Sequence, residues 1–158
     1  MTQTKHPADR TPSRPTTSEG THLLAEALER YVRTVAEALG VPHHGVSCEV
    51  TDTATAYLAL GCRAAAHPGR DVMLVWSATH GWAVSIETRP GEPLIVLAQL
   101  TGDVVQPPEA VARLVADATT RLDVQPVPAV TARPMGWSDL AECMDRYAPA
   151  AGADGRSD

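Results

Sequence analysis

The sequence contains very few residues of several kinds, and each scarcity narrows the classes of protein to consider. Lys5 is the only lysine, and phenylalanine is absent from the 158 residues. Because lysine and phenylalanine codons are rich in A and T, this bias is typical of a GC-rich genome. No run approaches the roughly 18 apolar residues of a membrane-spanning helix, and the N-terminus lacks the hydrophobic core of a signal peptide. We therefore expect a cytoplasmic protein.

Cysteine and positive charge are also scarce. Cys48, Cys62 and Cys143 are odd in number and form no Cys-x-x-Cys pair, which fits reduced thiols better than a disulfide framework. The formal net charge is −6, and it belongs to residues 21–147, because the charges of the two ends of the chain cancel. Such an acidic chain lacks the basic stripe that binds a phosphate backbone. We therefore expect no direct binding to nucleic acid.

The distribution of apolar residues sets the domain boundaries. Residues 1–20 contain no Leu, Ile or Val, so they cannot bury enough surface to offset the entropy lost on ordering. We predict a disordered N-terminal tail over residues 1–20 and a disordered C-terminal tail over residues 148–158. Between the tails we predict an α+β core domain over residues 21–122, followed by an extended proline-rich segment and a short helix over residues 123–147.

Three helices are predicted from apolar residues at helical spacing. The first covers about residues 21–39. The second begins at Pro107-Pro108-Glu109, with proline in the first turn, where a missing N–H costs least. The third is short and has Ser138 as its predicted N-cap. The three apolar stripes are Leu24, Leu28, Tyr31, Val35 and Leu39; Val111, Leu114, Val115, Ala118 and Leu122; and Leu140, Met144 and Tyr147.

Five strands lie between the first two helices in the predicted order. Loops of two to five residues join most of them, which favours antiparallel pairing over crossover connections. The longest predicted loop is residues 63–70, between the second and third strands. The fold class is therefore α+β: an antiparallel five-stranded meander sheet flanked by an N-terminal helix and a C-terminal helix, plus a short third helix. The predicted strands are residues 46–51, about 54–61, 72–76, 82–87 and 94–100.

The third and fifth predicted strands are apolar on both faces. In the fifth, strict alternation would place Leu94, Val96, Ala98 and Leu100 on one face and Ile95 and Leu97 on the other. A strand that is apolar on both faces should be covered on both. The two main helices can cover one face of the sheet. The other face is covered either by residues 123–147 or by a second protein chain, and the sequence leaves both alternatives open.

The stretch "WSATHGW", residues 76–82, contains two of the three tryptophans and His80. Gly81 can adopt the left-handed conformation that hairpin turns use, so the favoured interpretation is a structural hairpin. The alternative is contact with a ligand or partner. Trp76, His80 and Trp82 are the candidate site residues under that alternative.

The sequence contains no specific catalytic or metal-binding pattern. No phosphate-binding glycine loop or Rossmann fingerprint occurs. Cys62 could meet His67 or His80, but no third orienting group is evident, so we predict no catalytic residues. His43, His44 and Cys48 are more simply explained as turn and core residues than as metal ligands. We predict no metal site and no cofactor, and the sequence leans against an enzyme.

Four segments carry a resemblance to a known family. They are "YVRTVAEALGVP" at 31–42, "TAYLAL" at 55–60, "LVWSATHGWAVSIET" at 74–88 and "LIVLAQLTGDVVQPPEAVARLV" at 94–115. Together they resemble a family of small actinobacterial proteins, found in Streptomyces and its relatives, that is numbered 6292 among domains of unknown function. The resemblance covers about residues 22–122. It implies an actinobacterial origin and no assigned activity, ligand or catalytic residue.

These observations favour a binding function over a catalytic one. We expect a small protein-interaction or accessory and regulatory domain, whose partner is another protein or a second copy of the chain. The alternative is a small-molecule binding protein or enzyme with a pocket near the Trp76–Trp82 hairpin. The two differ in shape: a pocket requires a concave surface with polar groups directed into it, whereas an interaction domain requires a flat apolar face.

Overall fold

The computed structural model describes residues 17–121 and 130–147, with the side chains of residues 17–19 excepted. Most of the predicted N-terminal tail, the predicted C-terminal tail and residues 122–129 of the proline-rich segment lie outside the described residues. The elements in chain order are α1 (Thr17–Leu39), a short 3-10 turn (His43–Gly45), β1 (Val46–Val50), β2 (Ala54–Ala64), β3 (His67–Ser77), β4 (Gly81–Ile86), β5 (Ile95–Gln99), α2 (Pro108–Thr120) and α3 (Trp137–Asp145).

The five strands form one open antiparallel sheet in the order β1-β2-β3-β4-β5. Each strand pairs with its neighbour in sequence, as short connections require. The predicted α+β meander with flanking helices is therefore confirmed. None of the helices in residues 17–121 and 130–147 has both the length and the apolar character needed to cross a membrane.

Three predicted boundaries were wrong. The first helix begins at Thr17, inside the stretch predicted as a tail; Thr, Ser and Glu are typical of a helix start even though they form no core. Most of the predicted loop at residues 63–70 is strand, because the β2–β3 hairpin continues past a bulge near Gly61 to the pair Ala64–His67. The N-cap of α3 is Gly136, and Ser138 lies inside the first turn.

The helices cover one face of the sheet. The first helix packs against β1 and β2, and α2 packs against β2, β4 and β5. The third helix packs against α1, where Leu140 and Met144 are fully buried and Arg30 forms an ion pair of 2.8 Å with Asp145. The third helix therefore completes the core on the helical side and does not lie on the opposite face of the sheet.

A β-bulge in β5 breaks the alternation expected from the sequence. Ala98 pairs with Val84, but Val96 pairs with Ser85, so Leu97 is an extra residue on the β5 side. As a result Leu97 and Ala98 both belong to the helix-covered core. The predicted grouping of Val96 with Ala98 on one face was wrong, and Val96 lies on the face away from the helices.

Candidate functional site

The two hairpin tryptophans lie in the core. Trp76 and Trp82 are cross-strand partners in the β3–β4 hairpin, and their exposed fractions are 1% and 0%. Their ring centroids are 6.5 Å apart on the helix-covered face. Large buried aromatic rings stabilise a fold strongly, so both side chains have a clear packing role.

Both indole N–H groups also help to hold the loop that precedes α2, Trp76 by a direct hydrogen bond and Trp82 through the Tyr31 hydroxyl. Trp76 Nε1 donates to the Val104 carbonyl at 2.8 Å, and Trp82 Nε1 donates to the Tyr31 hydroxyl at 2.9 Å. The Tyr31 hydroxyl donates to the Gln106 carbonyl at 2.5 Å and accepts from the Gln106 N–H at 2.9 Å. Burial of this hydroxyl raises the pKa of Tyr31 to about 12. The network joins α1, the hairpin and the loop into one rigid unit.

The opposite face of the sheet forms a concave cleft of about 520 Å³, which we call the sheet cleft. Its central part is apolar, with Val75, Ala83 and Val96 on neighbouring strands and the exposed Leu94 at its edge. No residue of the three helices is among the described residues that line it. Those residues are Ser47, Glu49, Thr55, Ala56, Tyr57, Val75, Trp76, Ser77, His80, Gly81, Ala83, Ser85, Leu94, Val96 and Gln99.

Ser85 is the unusual residue of the sheet cleft. It is the cross-strand neighbour of Met73 and Val96, and its exposed fraction is 0%. Its hydroxyl oxygen has no hydrogen-bond partner among the described residues. A buried polar group left without a partner costs about 1–3 kcal/mol, and native structures contain few of them. A polar atom of a bound molecule would remove that cost, and because Ser85 is fully buried a neighbouring side chain must move aside for that contact.

A row of polar side chains crosses one end of the sheet cleft. Glu49 pairs with Thr55, and Thr55 pairs with Ser77, so the three side chains are direct neighbours on β1, β2 and β3. Ser77 Oγ accepts the His80 backbone N–H at 2.9 Å and lies 3.4 Å from His80 Nδ1. The turn is therefore held by Ser77, and the row offers one carboxylate and two hydroxyls to the sheet cleft.

The Gln99 side chain holds residues 130–132 beside the β3–β4 turn, at the end of the sheet cleft where Ser77 lies. Its side-chain nitrogen donates to the carbonyls of His80 and Val130, both at 2.8 Å, and its oxygen accepts the Val130 N–H at 2.9 Å. The Ala132 N–H donates to the Thr79 carbonyl at 2.7 Å. Residues 130–132 are thus held beside the β3–β4 turn by the Gln99 side chain and by one backbone hydrogen bond.

The three candidate site residues predicted from the sequence, Trp76, His80 and Trp82, differ in their position relative to the sheet cleft. His80 lines the sheet cleft. Trp76 borders the cleft, but its indole ring lies in the core on the opposite face of the sheet, and Trp82 is not among the described lining residues. Sequence reasoning missed Ser85 and Glu49. Ser85 carries a signal in the sequence, because a serine interrupts the apolar residues of β4 at a position that proves to be fully buried.

The residues considered for metal binding do not converge. Within residues 17–121 and 130–147, no three His, Cys, Asp or Glu side chains are placed to hold a metal ion. His43 and Cys48 line a separate groove of about 300 Å³ between α1 and β1, and Cys62 is exposed on the β2–β3 hairpin. Burial raises the pKa of the Cys48 thiol to about 11, so this group stays protonated at neutral pH.

Comparison with known proteins identifies a family but no closer relative. No curated protein matches the chain. No solved structure matches it either. A family model described as a family of unknown function, DUF6292, matches residues 31–117, which run from the middle of α1 into α2 and include the whole sheet. The chain therefore belongs to the DUF6292 family.

Proposed function

We propose that the protein binds a small, largely apolar molecule in the sheet cleft. The observation that carries this proposal is the buried hydroxyl of Ser85, which has no partner among the described residues and lines an apolar cleft. The volume of about 520 Å³ lies within the range of roughly 300–1,000 Å³ typical of ligand sites. Such sites combine an apolar lining with a few polar groups that orient the ligand.

The shape of the face also supports this choice over a flat interaction surface. The sheet cleft is concave, and polar side chains occur at its end and at Ser85 rather than around an even apolar patch. The two faces of the sheet therefore have different roles. The helix-covered face holds the core, and the cleft face holds the ligand.

The test is a fluorescence titration with Nile red, a neutral apolar dye whose emission rises in apolar surroundings. The variant Val75→Trp places a large ring in the centre of the sheet cleft, where Val75 is half-buried. The control Leu23→Trp adds the same ring on α1, at a position with an exposed fraction of 53%. We expect saturable binding of one dye to the wild type and to Leu23→Trp, and loss of binding in Val75→Trp.

Equal binding of Nile red by the wild type and by folded Val75→Trp would refute the proposal, because the dye would then bind elsewhere. The near-ultraviolet circular dichroism of Val75→Trp shows whether its tertiary structure is intact. If that variant does not fold, Ala83→Leu is a smaller obstruction of the same cleft, and the same loss of dye binding is expected.

Protein binding through the same face is a second candidate function. It is favoured by Leu94, whose exposed fraction is 47% at the edge of the sheet cleft, beside the half-buried Val96. The partner would be another protein or a second copy of the chain. Light scattering of the wild type and of Val96→Glu tests self-association: a dimer that becomes monomeric in the variant supports this function, and a monomeric wild type contradicts a homo-oligomer.

The proposed setting is the cytoplasm of an actinobacterium, with the protein as an accessory or regulatory component. The free cysteines Cys48, Cys62 and Cys143 support a reducing compartment. The single lysine and the absence of phenylalanine support a GC-rich genome. Localisation of a tagged chain in its native host tests the setting, and recovery outside the cytoplasm would contradict it.

A further inference from the structure

We infer that the sheet cleft selects an amphiphile with a protonated amine at one end and an apolar body, an inference that rests on the proposed binding function. Three features of the cleft lead to this class of ligand. They are the sign of its charge, the row of acceptors at its end, and the distance from that row to Ser85.

The charge of the sheet cleft disfavours anions. None of its described lining residues is a lysine or an arginine, and Glu49 is the only carboxylate among them. His80 is the one described lining side chain that becomes positively charged on protonation, and its Nδ1 lies 3.4 Å from Ser77 Oγ. A carboxylate or phosphate placed in an apolar cleft without a positive partner loses hydration and gains no ion pair. A cation near Glu49 gains both a charge partner and a hydrogen-bond acceptor.

The row of Glu49, Thr55 and Ser77 matches the hydrogen-bonding capacity of an ammonium group. Side chains at directly paired positions of an antiparallel sheet have Cβ atoms about 4.5–5.5 Å apart. The row therefore presents a carboxylate and two hydroxyl oxygens on three successive strands. The Cβ atoms of Glu49 and Ser77 are about 10 Å apart, so one ammonium group contacts all three only when the Glu49 side chain extends across Thr55. An ammonium group has three N–H donors and no acceptor. The Ser77 oxygen already accepts the His80 N–H but has a second lone pair for this contact.

The distance from the row to Ser85 sets the length of the apolar body. Ser77 pairs with Gly81, and Ser85 lies four residues further along β4. With about 3.3 Å per residue and about 4.8 Å between strands, Ser85 is about 20 Å from Glu49 and about 14 Å from Ser77, the nearest member of the row. An apolar chain of that length crosses Val75 and Ala83 and ends beside the Ser85 hydroxyl, where a second polar atom of the ligand would bind.

The experiment is isothermal titration calorimetry at pH 8 with three probes of equal chain length: decan-1-amine, decan-1-ol and decanoate. Glu49→Gln removes the negative charge in the sheet cleft. The control Glu142→Gln makes the same change on the exposed surface of α3, on the helical side of the molecule. We expect the wild type to bind decan-1-amine about tenfold more tightly than decanoate, since Glu49 attracts one probe and repels the other.

Glu49→Gln should weaken decan-1-amine binding about twofold to fivefold, the range expected for an exposed ion pair. It should leave decan-1-ol binding unchanged, and Glu142→Gln should change neither affinity. Decanoate binding as tight as that of the amine, or an unchanged amine affinity in Glu49→Gln, would overturn the inference. Binding of decan-1-ol and its loss in Val75→Trp depend only on the proposed function, so the two failures are distinguishable.

Discussion

Ser85→Ala should leave the ligand-free protein as stable as the wild type or make it more stable. This is the reverse of the usual effect of a change at a fully buried position, where most substitutions destabilise. The reason is that the Ser85 hydroxyl is hydrated in the unfolded chain but has no partner among the described residues of the folded chain. Removing the hydroxyl removes that difference.

The expected size follows from two opposing contributions. Relief of an unpartnered buried hydroxyl stabilises the folded state by about 1–3 kcal/mol. Loss of the small oxygen volume and the lower strand propensity of alanine together cost about 1 kcal/mol. The net change in the free energy of unfolding is therefore between about 0 and +2 kcal/mol. In the presence of decan-1-ol the same variant should gain less stability from the ligand than the wild type gains.

Urea denaturation followed by tryptophan fluorescence measures this change, since Trp76 and Trp82 report on the core. Ser77→Ala is the matched control, because its hydroxyl lies on the same face but accepts the His80 N–H. The free energy of unfolding of this control should be about 0.5–1.5 kcal/mol lower than that of the wild type. If Ser85→Ala lowers the free energy of unfolding by more than about 1 kcal/mol, as the control does, the Ser85 hydroxyl has a hydrogen-bond partner in the folded protein and the prediction is wrong.

Three further predictions test the packing around the sheet cleft. Trp82→Ala should lower the free energy of unfolding, measured by urea denaturation, by about 3–5 kcal/mol, and His80→Ala should lower it by less than about 1 kcal/mol. Equal losses in the two variants would contradict the deeper burial of Trp82. Ile95→Glu should unfold the domain, whereas Val96→Glu should keep a folded circular dichroism spectrum; the opposite ranking would contradict the bulge in β5. Between pH 10 and pH 12 the free energy of unfolding of the wild type should fall by about 2–3 kcal/mol. The reason is that the pKa of Tyr31 is about 12 in the folded state and about 10 in the unfolded state, so the unfolded chain loses this proton first as the pH rises. The free energy of unfolding of Tyr31→Phe should fall less.

The meander could be predicted from the sequence because its causes are local. Short connections restrict consecutive strands to antiparallel neighbours, and the spacing of Leu24, Leu28 and Tyr31 specifies one buried side of α1. The proline at the start of α2 also occupies the predicted position in the first turn. Each of these features depends on residues within a few positions of one another.

The sheet cleft could not be predicted because its causes are not local. The bulge at Leu97 depends on how β4 and β5 fit together, and a single extra residue reverses the face that follows it. The isolation of Ser85 depends on Met73 and Val96, which are distant in sequence. The sequence alone predicts Glu49 as a residue on a solvent-facing side of its strand. Only the strand register shows that it is paired with Thr55, which in turn is paired with Ser77.

Methyl NMR shows whether a ligand binds on the face of the sheet opposite the helices. Val75 and Val96 line the sheet cleft, whereas Val84 and Ile86 are buried beneath the helices on the other face of the same sheet. Titration with decan-1-ol should shift the methyl signals of Val75 and Val96 and leave those of Val84 and Ile86 nearly unchanged. Shifts confined to Val84 and Ile86, or no saturable shift at Val75 and Val96, would contradict ligand binding in the sheet cleft.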